Sequence, residues 1–251
     1  MKIHQVQLGT EGPKVSSLIF GTEHIIHMPP AQGGALLSAA YQEFGINHWD
    51  TALAYKSHPQ VAAGLDQAGR ENIIVTSKTP AKTAEEAQAD LNRIFEELKT
   101  SYLDICFLHY VKTGEYSEHE DALKYLVQVK NSGLIRHIGL SSHSPSVIKE
   151  TLHTPEIEIV CGTLNRDGSR IDDGDLNAML EALQACHQVG KGVYVIKILG
   201  RGDLAHDVPG ALKYVTQFDF IDAFNIGMRN LTEVRENVDL LDQFLKARSS
   251  S

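Results

Sequence analysis

Cysteines are few in this sequence and do not cluster. Only three occur among its 251 residues, at Cys106, Cys161 and Cys186. Their odd number and wide spacing argue against a disulfide framework and against a zinc site. We therefore expect three buried, reduced thiols, which are typical of a cytosolic protein.

Long apolar runs and a basic surplus are also missing. No stretch approaches the ~18 apolar residues of a membrane span, and the N-terminal segment lacks the pattern of a secretory signal. The formal net charge is −9, which argues against nucleic acid or an anionic membrane as the main partner, because both attract basic surfaces. We expect a small-molecule partner, and a local phosphate site is compatible with this charge.

Short apolar runs rich in β-branched residues alternate along the chain with longer amphipathic segments. Glu11, Gly12 and Pro13 predict the turn of an N-terminal hairpin. Helical spacing is clearest in the segment 83–99 and in the last helix. Eight further strands are predicted, at 18–20, 46–49, 73–77, 103–108, 135–140, 157–161, 193–196 and 220–225.

Strands that alternate with helices predict βαβ units and a parallel sheet. Eight such units favour an α/β fold of the (β/α)8 TIM-barrel class with an N-terminal β-hairpin. The alternative is an open doubly wound sheet, but no Gly-x-Gly-x-x-Gly follows the first strand. We predict a single barrel domain over residues 1–248, followed by a polar tail at 249–251.

Four ionisable residues fall at or just after the carboxyl ends of consecutive predicted strands. Asp50 ends the second strand, and Tyr55 follows in its loop. Lys78 ends the third strand and His109 ends the fourth. Parallel barrels gather reactive side chains at this end, and neighbouring strands lie about 5 Å apart, so the four side chains can converge.

The same four residues suggest proton-transfer chemistry. A buried lysine needs a partner, and Asp50 on the neighbouring strand is available to Lys78. An ammonium near Tyr55 is expected to lower the pKa of its phenol, so that Tyr55 exchanges a proton with a carbonyl oxygen near neutral pH. Each residue alone is more often structural, and only the set indicates a site.

These motifs, in this order, resemble the aldo-keto reductase superfamily over nearly the whole chain. The matching segments are 18–22 (LIFGT), 46–55 (INHWDTALAY), 75–78 (VTSK), 103–109 (LDICFLH), 133–142 (GLIRHIGLSS) and 227–237. The resemblance implies an NADP(H)-dependent oxidoreductase that reduces aldehydes or ketones by hydride transfer. It implies that Tyr55 is the general acid and base, that Lys78 and Asp50 tune it, and that His109 orients the substrate.

The resemblance also implies a nicotinamide cofactor across the barrel mouth, with NADP(H) favoured over NAD(H). The start of the last helix matches the adenosine end, where a helix N-terminus suits a phosphate. Arg229 adds a positive charge there, whereas Glu233 would repel a 2′-phosphate. The residues implied as cofactor-binding are Gly21, Thr22, Ser141, Ser142, Cys161, Lys197, Gly227, Met228, Arg229, Glu236 and Asn237.

The sequence departs from the family pattern around the nicotinamide. Ser142 stands where asparagine is usual, and Cys161 falls about where a glutamine helps to hold the carboxamide. Ile196 replaces an aromatic residue that often stacks on nicotinamide. Lys197, next to it, is either a partner for the pyrophosphate or a solvated, structural lysine. The short stretch 200–220 implies a reduced cofactor loop, and the usual substrate-shaping C-terminal tail is missing.

Two other function classes stay open from the sequence. A metal-dependent hydrolase on the same barrel would use histidines such as His24, His27 and His48, although no pair has recognisable ligand spacing and we predict no metal site. A non-catalytic barrel that senses a nicotinamide cofactor or binds a partner protein would explain the altered carboxamide positions. The intact set of four ionisable residues argues against it.

Overall fold

The first two strands, β1 (Gln5–Gln7) and β2 (Lys14–Ser16), form the predicted antiparallel hairpin. Leu8, between them, is fully buried among apolar side chains inside the barrel. Gly9 adopts a φ of 60°, and a Cβ at this position would clash with the backbone nitrogen of Gly192. The hairpin therefore covers the amino end of the barrel strands and leaves their carboxyl end free for a site.

The computed structural model describes residues 2–249 and contains a closed barrel of parallel strands. These strands are β3 (Leu18–Gly21), β4 (His48–Asp50), β5 (Ile74–Thr79), β6 (Leu103–Leu108), β7 (Ile135–Ser142), β8 (Ile159–Thr163), β9 (Gly192–Ile196) and β10 (Ala223–Gly227). Because β10 pairs with both β3 and β9, the ring is closed. The predicted (β/α)8 barrel with its hairpin is confirmed, and the open sheet is excluded.

Helices surround the ring and bury their apolar faces on it. They are α1 (Pro30–Phe44), α2 (His58–Ala68), α3 (Ala84–Leu98), α4 (Glu120–Asn131), α5 (Pro145–Glu150), α6 (Leu176–Gln188), α7 (Val208–Thr216) and α8 (Leu231–Ser249). Thr83 begins α3 with a capping box, in which its hydroxyl accepts from the Glu86 N–H at 3.2 Å. Helix α8 includes Ser249 of the predicted tail, and Ser250 and Ser251 lie outside the described residues.

Two apolar regions hold the fold together. One fills the barrel interior and includes Ile105, Phe107 and Tyr194. The larger one lies between the strands and the surrounding helices. The three cysteines are free and buried, as predicted, and the cytosolic location stays a prediction. No helix within residues 2–249 has both the length and the apolar character to cross a membrane.

Candidate active site

The carboxyl ends of β4 and β5 place a carboxylate against an ammonium. Asp50 ends β4, Lys78 is the next-to-last residue of β5, and both are almost fully buried. Lys78 Nζ donates to Asp50 Oδ1 at 2.5 Å and to the carbonyl oxygen of Thr51 at 2.8 Å. Buried charges are tolerated when they are paired and hydrogen-bonded, so this ion pair is a fixed feature beneath the barrel mouth.

Tyr55 and His109 lie beside this ion pair. Tyr55 belongs to a 3₁₀ turn after β4, and His109 directly follows β6. Their rings meet edge to face with centroids 5.5 Å apart, and Lys78 Nζ lies 4.9 Å from the centroid of the Tyr55 ring. The structure therefore brings Asp50, Tyr55, Lys78 and His109 together at one end of the barrel.

The expectation of a lowered pKa for Tyr55 is wrong for this structure. Burial raises the pKa of Tyr55 well above its ordinary value, and the negative charge of Asp50 raises it further. Lys78 lies over the face of the ring and directs hydrogen bonds to Asp50 and Thr51. Tyr55 is therefore protonated at neutral pH, which suits a proton donor.

His109 is held as a neutral imidazole. Burial, and then the charge of Lys78, lower the pKa of His109 to about 3. Its backbone N–H donates to the carbonyl oxygen of Thr79 at 2.8 Å. The next residue, Tyr110, has a φ of 52° and donates its backbone N–H to Ser141 Oγ at 3.0 Å. Neighbouring strands thus fix His109, whose neutral ring can donate one hydrogen bond to a ligand oxygen.

Tyr194 is a site residue that the sequence reasoning missed. It lies on β9, fully buried inside the barrel, and its hydroxyl donates to Asp50 Oδ2 at 2.6 Å. Lys78 and Tyr194 therefore occupy one carboxylate oxygen of Asp50 each. A signal was present in the sequence, because a tyrosine that points into a barrel usually finds a partner for its hydroxyl.

Two cavities open at the carboxyl end of the strands. The first has a volume of about 560 Å³ and is lined by Lys78, His109 and Ser141, among others. The second, of about 440 Å³, extends from Gly21 to the start of α8. The residues that line both are Glu23, Tyr55, Ile196, Lys197 and Arg201. The two cavities therefore adjoin at Tyr55.

The second cavity collects most of the residues that the sequence predicts for the cofactor. Those that line it are Gly21, Thr22, Lys197, Gly227, Arg229, Glu236 and Asn237. Ser141 lines the first cavity instead. The set spans the ends of β3, β9 and β10 and the first turns of α8, so the slot is elongated and starts beside Tyr55.

Three residues predicted to bind the cofactor line neither cavity, namely Ser142, Cys161 and Met228. Ser142 Oγ donates to the carbonyl oxygen of Val111 at 2.6 Å, because successive residues of a strand face opposite sides and Ser141 takes the side of the mouth. Cys161 is fully buried in the barrel interior, and Met228 is fully buried between barrel and helices. Their assignment to the cofactor site is corrected accordingly.

The wall of the second cavity offers close-approach backbone and a free acceptor to a ligand. A Cβ at Gly21 would clash with Asn225 Oδ1, and one at Gly227 would clash with the ring of His24, so bare backbone forms part of the wall. Asn237 Oδ1 is buried and has no hydrogen-bond partner among residues 2–249. An acceptor left in this way suits a ligand donor such as the amino group of an adenine.

The start of α8 carries opposing charges. Asn230 Oδ1 accepts from the Glu233 N–H at 2.9 Å, and the Glu233 carboxylate accepts from the Arg229 N–H at 2.8 Å. The Arg229 guanidinium lies 3.3 Å from the same carboxylate. Glu233 therefore offsets both the positive helix end and Arg229, which reduces their attraction for a 2′-phosphate.

The histidines that suggested a metal-dependent hydrolase lie in different surroundings. His48 is inside the barrel, where its Nε2 is 2.7 Å from Thr76 Oγ1 and burial lowers its pKa to about 4. His24 packs against Gly227. Across the described part of the chain, no three His, Cys, Asp or Glu side chains are grouped so as to hold a metal ion.

The structure is a closed (β/α)8 barrel with a phenol, an ammonium and a carboxylate beside an elongated cavity, which is the arrangement expected of a barrel oxidoreductase. The family comparison agrees with this class. The profile of the Aldo/keto reductase family matches residues 17–208, which is most of the chain. The chain belongs to the aldo/keto reductase family.

Among individual proteins, the chain resembles several relatives at moderate identity. It is 28% identical over 169 residues to an uncharacterized oxidoreductase of Schizosaccharomyces pombe, covering 59% of this chain and 51% of that protein. It is 28% identical over 228 residues to a probable aldo-keto reductase of Glycine max, covering 80% and 61%. It is 30% identical over 118 residues to a glyoxal reductase of Bacillus subtilis, covering 45% and 42%. The chain thus spans about half the length of the curated relatives it matches.

Solved structures of similar fold cover almost all of the chain. A putative aldo-keto reductase from Pseudomonas aeruginosa superposes with a TM-score of 0.84 at 23% identity, covering 97% of both chains. The holo form of an aldo-keto reductase from Bacillus halodurans gives 0.79 at 20% identity, covering 99% of this chain and 96% of that one. At these identities the likeness shows the fold.

Proposed function

We propose that this protein is an NADP(H)-dependent oxidoreductase that reduces aldehydes or ketones, with Tyr55 as the proton donor. The observation that carries the proposal is the position of Tyr55 in the wall shared by the two cavities. A carbonyl compound in the first cavity and a nicotinamide in the second would meet at its hydroxyl. The Asp50–Lys78 ion pair and His109 lie beside the same point.

His109, Tyr55 and Lys78 would each have a separate role in proton transfer to the carbonyl oxygen. A reduced nicotinamide, when bound, supplies the hydride that goes to the carbonyl carbon. The neutral imidazole of His109 donates a hydrogen bond to the carbonyl oxygen and so orients it. Tyr55 then gives its proton to the oxygen as negative charge develops there, and solvent restores the phenol. Lys78 stabilises the transient phenolate by its charge, and Asp50 holds Lys78 in place.

Two relatives suggest which carbonyl compounds to try first. The matching protein of Bacillus subtilis is named a glyoxal reductase, and one of Salmonella typhi, 24% identical over 114 residues, is named a methylglyoxal reductase. The aligned parts cover less than half of each relative. We propose small aldehydes and dicarbonyl compounds as the substrates of this chain.

NAD(H) is a second candidate cofactor, and one observation favours it. Glu233 lies against Arg229 at the start of α8, where the resemblance puts the adenosine end. A carboxylate repels a 2′-phosphate but can accept hydrogen bonds from the free 2′-hydroxyl of NAD(H). We retain NADP(H) as the proposal because Arg229 also lines the cavity. Titration of the protein with both nucleotides separates the two.

Replacing Tyr55 by phenylalanine tests the proposal. We expect Tyr55→Phe to lower kcat for glyoxal reduction by about 10²–10⁴-fold, the usual contribution of a general acid, and to leave the Kd of NADPH nearly unchanged. Tyr214→Phe, on α7 and outside both cavities, is the matched control. Retained turnover in Tyr55→Phe would remove Tyr55 from its role. Cofactor binding by the wild-type protein without turnover of any carbonyl compound would favour the sensor.

A further inference from the structure

The first cavity is lined by more cations than anions, although the chain as a whole has a net charge of −9. Its two lining glutamates are already paired. Glu23 lies 3.3 Å from Arg201, and Glu115 lies 3.5 Å from Lys82. Two other lysines line this cavity, Lys112 and Lys197. Among residues 2–249, neither forms an ion pair with a carboxylate.

Of these two lysines, Lys197 has an unfavourable backbone conformation and a partly buried charge. It directly follows β9, adopts a left-handed φ of 60°, and is half-buried. Its carbonyl oxygen accepts from the Gly200 N–H at 2.8 Å, which fixes the backbone turn. Burial, and then the charge of Arg201, lower the pKa of Lys197. A half-buried cation without an anion is stabilised when a ligand brings one.

Lys197 also lines the cavity that Tyr55 and His109 line. Its positive charge contributes to the lowered pKa values of both His109 and His143. Both histidines line the first cavity and not the second. Because Lys197 and Tyr55 both line the wall shared by the two cavities, an anion bound by Lys197 would lie in the same cavity as the carbonyl group that Tyr55 protonates.

We propose that the substrate of the first cavity is an aldehyde or ketone that also carries an oxyanion, a carboxylate or a phosphate, which Lys197 binds. Lys112, at the outer wall, adds a second positive charge. The inference rests on the proposed function, since it names the substrate class of the same site. A charge-assisted contact of this kind discriminates by about 1.5–3 kcal/mol, which is a factor of about ten or more in binding.

The alternative is that Lys197 binds the pyrophosphate of the cofactor, because Lys197 lines both cavities. The two sources of an oxyanion predict different effects of removing the charge. Loss of a substrate contact acts on charged substrates alone. Loss of a cofactor contact weakens NADPH and acts on all substrates equally.

The test compares 4-carboxybenzaldehyde with its methyl ester, which differ mainly in charge. We expect the wild-type protein to reduce the acid with a kcat/KM about tenfold or more above that of the ester. Lys197→Met should lower kcat/KM for the acid about tenfold more than kcat/KM for the ester, so that the preference is lost. Lys197→Arg should keep the preference, and Lys213→Met, at an exposed position on α7, is the matched control.

Each remaining outcome decides the question. Ester and acid reduced equally well by the wild-type protein would overturn the inference while leaving the proposed function intact. Equal losses for both substrates in Lys197→Met, together with weaker NADPH binding, would assign Lys197 to the cofactor and overturn the inference as well. Reduction of neither aldehyde, nor of glyoxal, would overturn the proposed function itself. Should Lys197→Met fail to fold, Lys112→Met, at an exposed position, should still lower the acid-to-ester ratio.

Discussion

Both oxygens of the Asp50 carboxylate are occupied, one by an ammonium and the other by a phenol. Such an arrangement fixes the rotamer of the carboxylate and, through it, the position of Lys78. Tyr194 is therefore a positioning residue, since it reaches the mouth only through Asp50. Its removal leaves a buried carboxylate oxygen without a donor, and hydrogen bonds to charged groups are among the stronger ones in proteins.

Tyr194→Phe tests this role. We expect the free energy of unfolding to fall by about 1.5–3 kcal/mol, measured by urea denaturation, because a charged acceptor loses its partner. We also expect kcat to fall more than KM rises, since Lys78 is less well placed. The hydroxyl of Tyr214 makes no hydrogen bond among the described residues, so Tyr214→Phe should change stability by much less. Equal effects of the two substitutions would contradict the role of Tyr194.

The pKa shifts of Tyr55 and His109 predict the pH dependence of the reaction. A raised phenol pKa keeps Tyr55 protonated as the pH rises, and a pKa of about 3 keeps His109 neutral as the pH falls. The kcat/KM for reducing a neutral aldehyde should therefore be flat between about pH 5 and about pH 9. Oxidation of the alcohol needs the phenolate and should rise steadily over the same range. A bell-shaped pH profile of reduction, centred near neutral pH, would instead indicate that Lys78 lowers the pKa of Tyr55.

At the scale of elements, we propose that the first turn of α8 decides which nucleotide the second cavity accepts. Asn230 caps the helix by accepting a hydrogen bond from the Glu233 N–H, and the Glu233 carboxylate offsets the charge of Arg229. Replacing Glu233 by glutamine keeps a hydrogen-bond acceptor and removes the negative charge. We expect Glu233→Gln to tighten NADPH binding by about tenfold and to leave NADH within about twofold, as measured by equilibrium titration. Equal changes for both nucleotides would place the 2′-phosphate away from α8.

Elements and strand ends could be predicted because their signals are local. The period of Ala87, Leu91, Ile94 and Leu98 identifies α3, and all four side chains are buried in the structure. Strands β8 and β10 begin later than predicted, at Ile159 and Ala223, because apolar loop residues before them are also buried. Burial alone therefore does not separate a strand from the loop that leads into it.

Side-chain direction and charge balance were harder to predict than the elements. Strand alternation allows only one of the two adjacent serines of β7 to face the mouth, and the choice of Ser141 depends on the barrel register. The hydrogen bond from Tyr194 to Asp50 joins residues 144 positions apart. The sign of the Tyr55 pKa shift depends on burial and on the charge of Asp50. Each depends on the closed barrel, which brings together residues that are far apart in the sequence.

At the scale of the whole molecule, barrel closure brings distant parts of the chain to one mouth. The hairpin covers the opposite end, and the two cavities lie where the carboxyl ends of the strands gather. The first cavity is lined by more cations than anions, although the chain as a whole has a net charge of −9. A closed ring thus positions the two adjoining cavities more rigidly than loops alone could.

The central claim is that a hydride carrier in the second cavity faces a carbonyl group in the first across Tyr55. Its most direct test is a reduction with NADPH deuterated at C4 of the nicotinamide, on the face from which the hydride is transferred, followed by mass analysis of the alcohol. We expect one deuterium on the former carbonyl carbon in every product molecule, with strongly reduced yield in Tyr55→Phe. Alcohol formed without deuterium, after both faces of C4 have been labelled in turn, would contradict direct transfer between the two cavities.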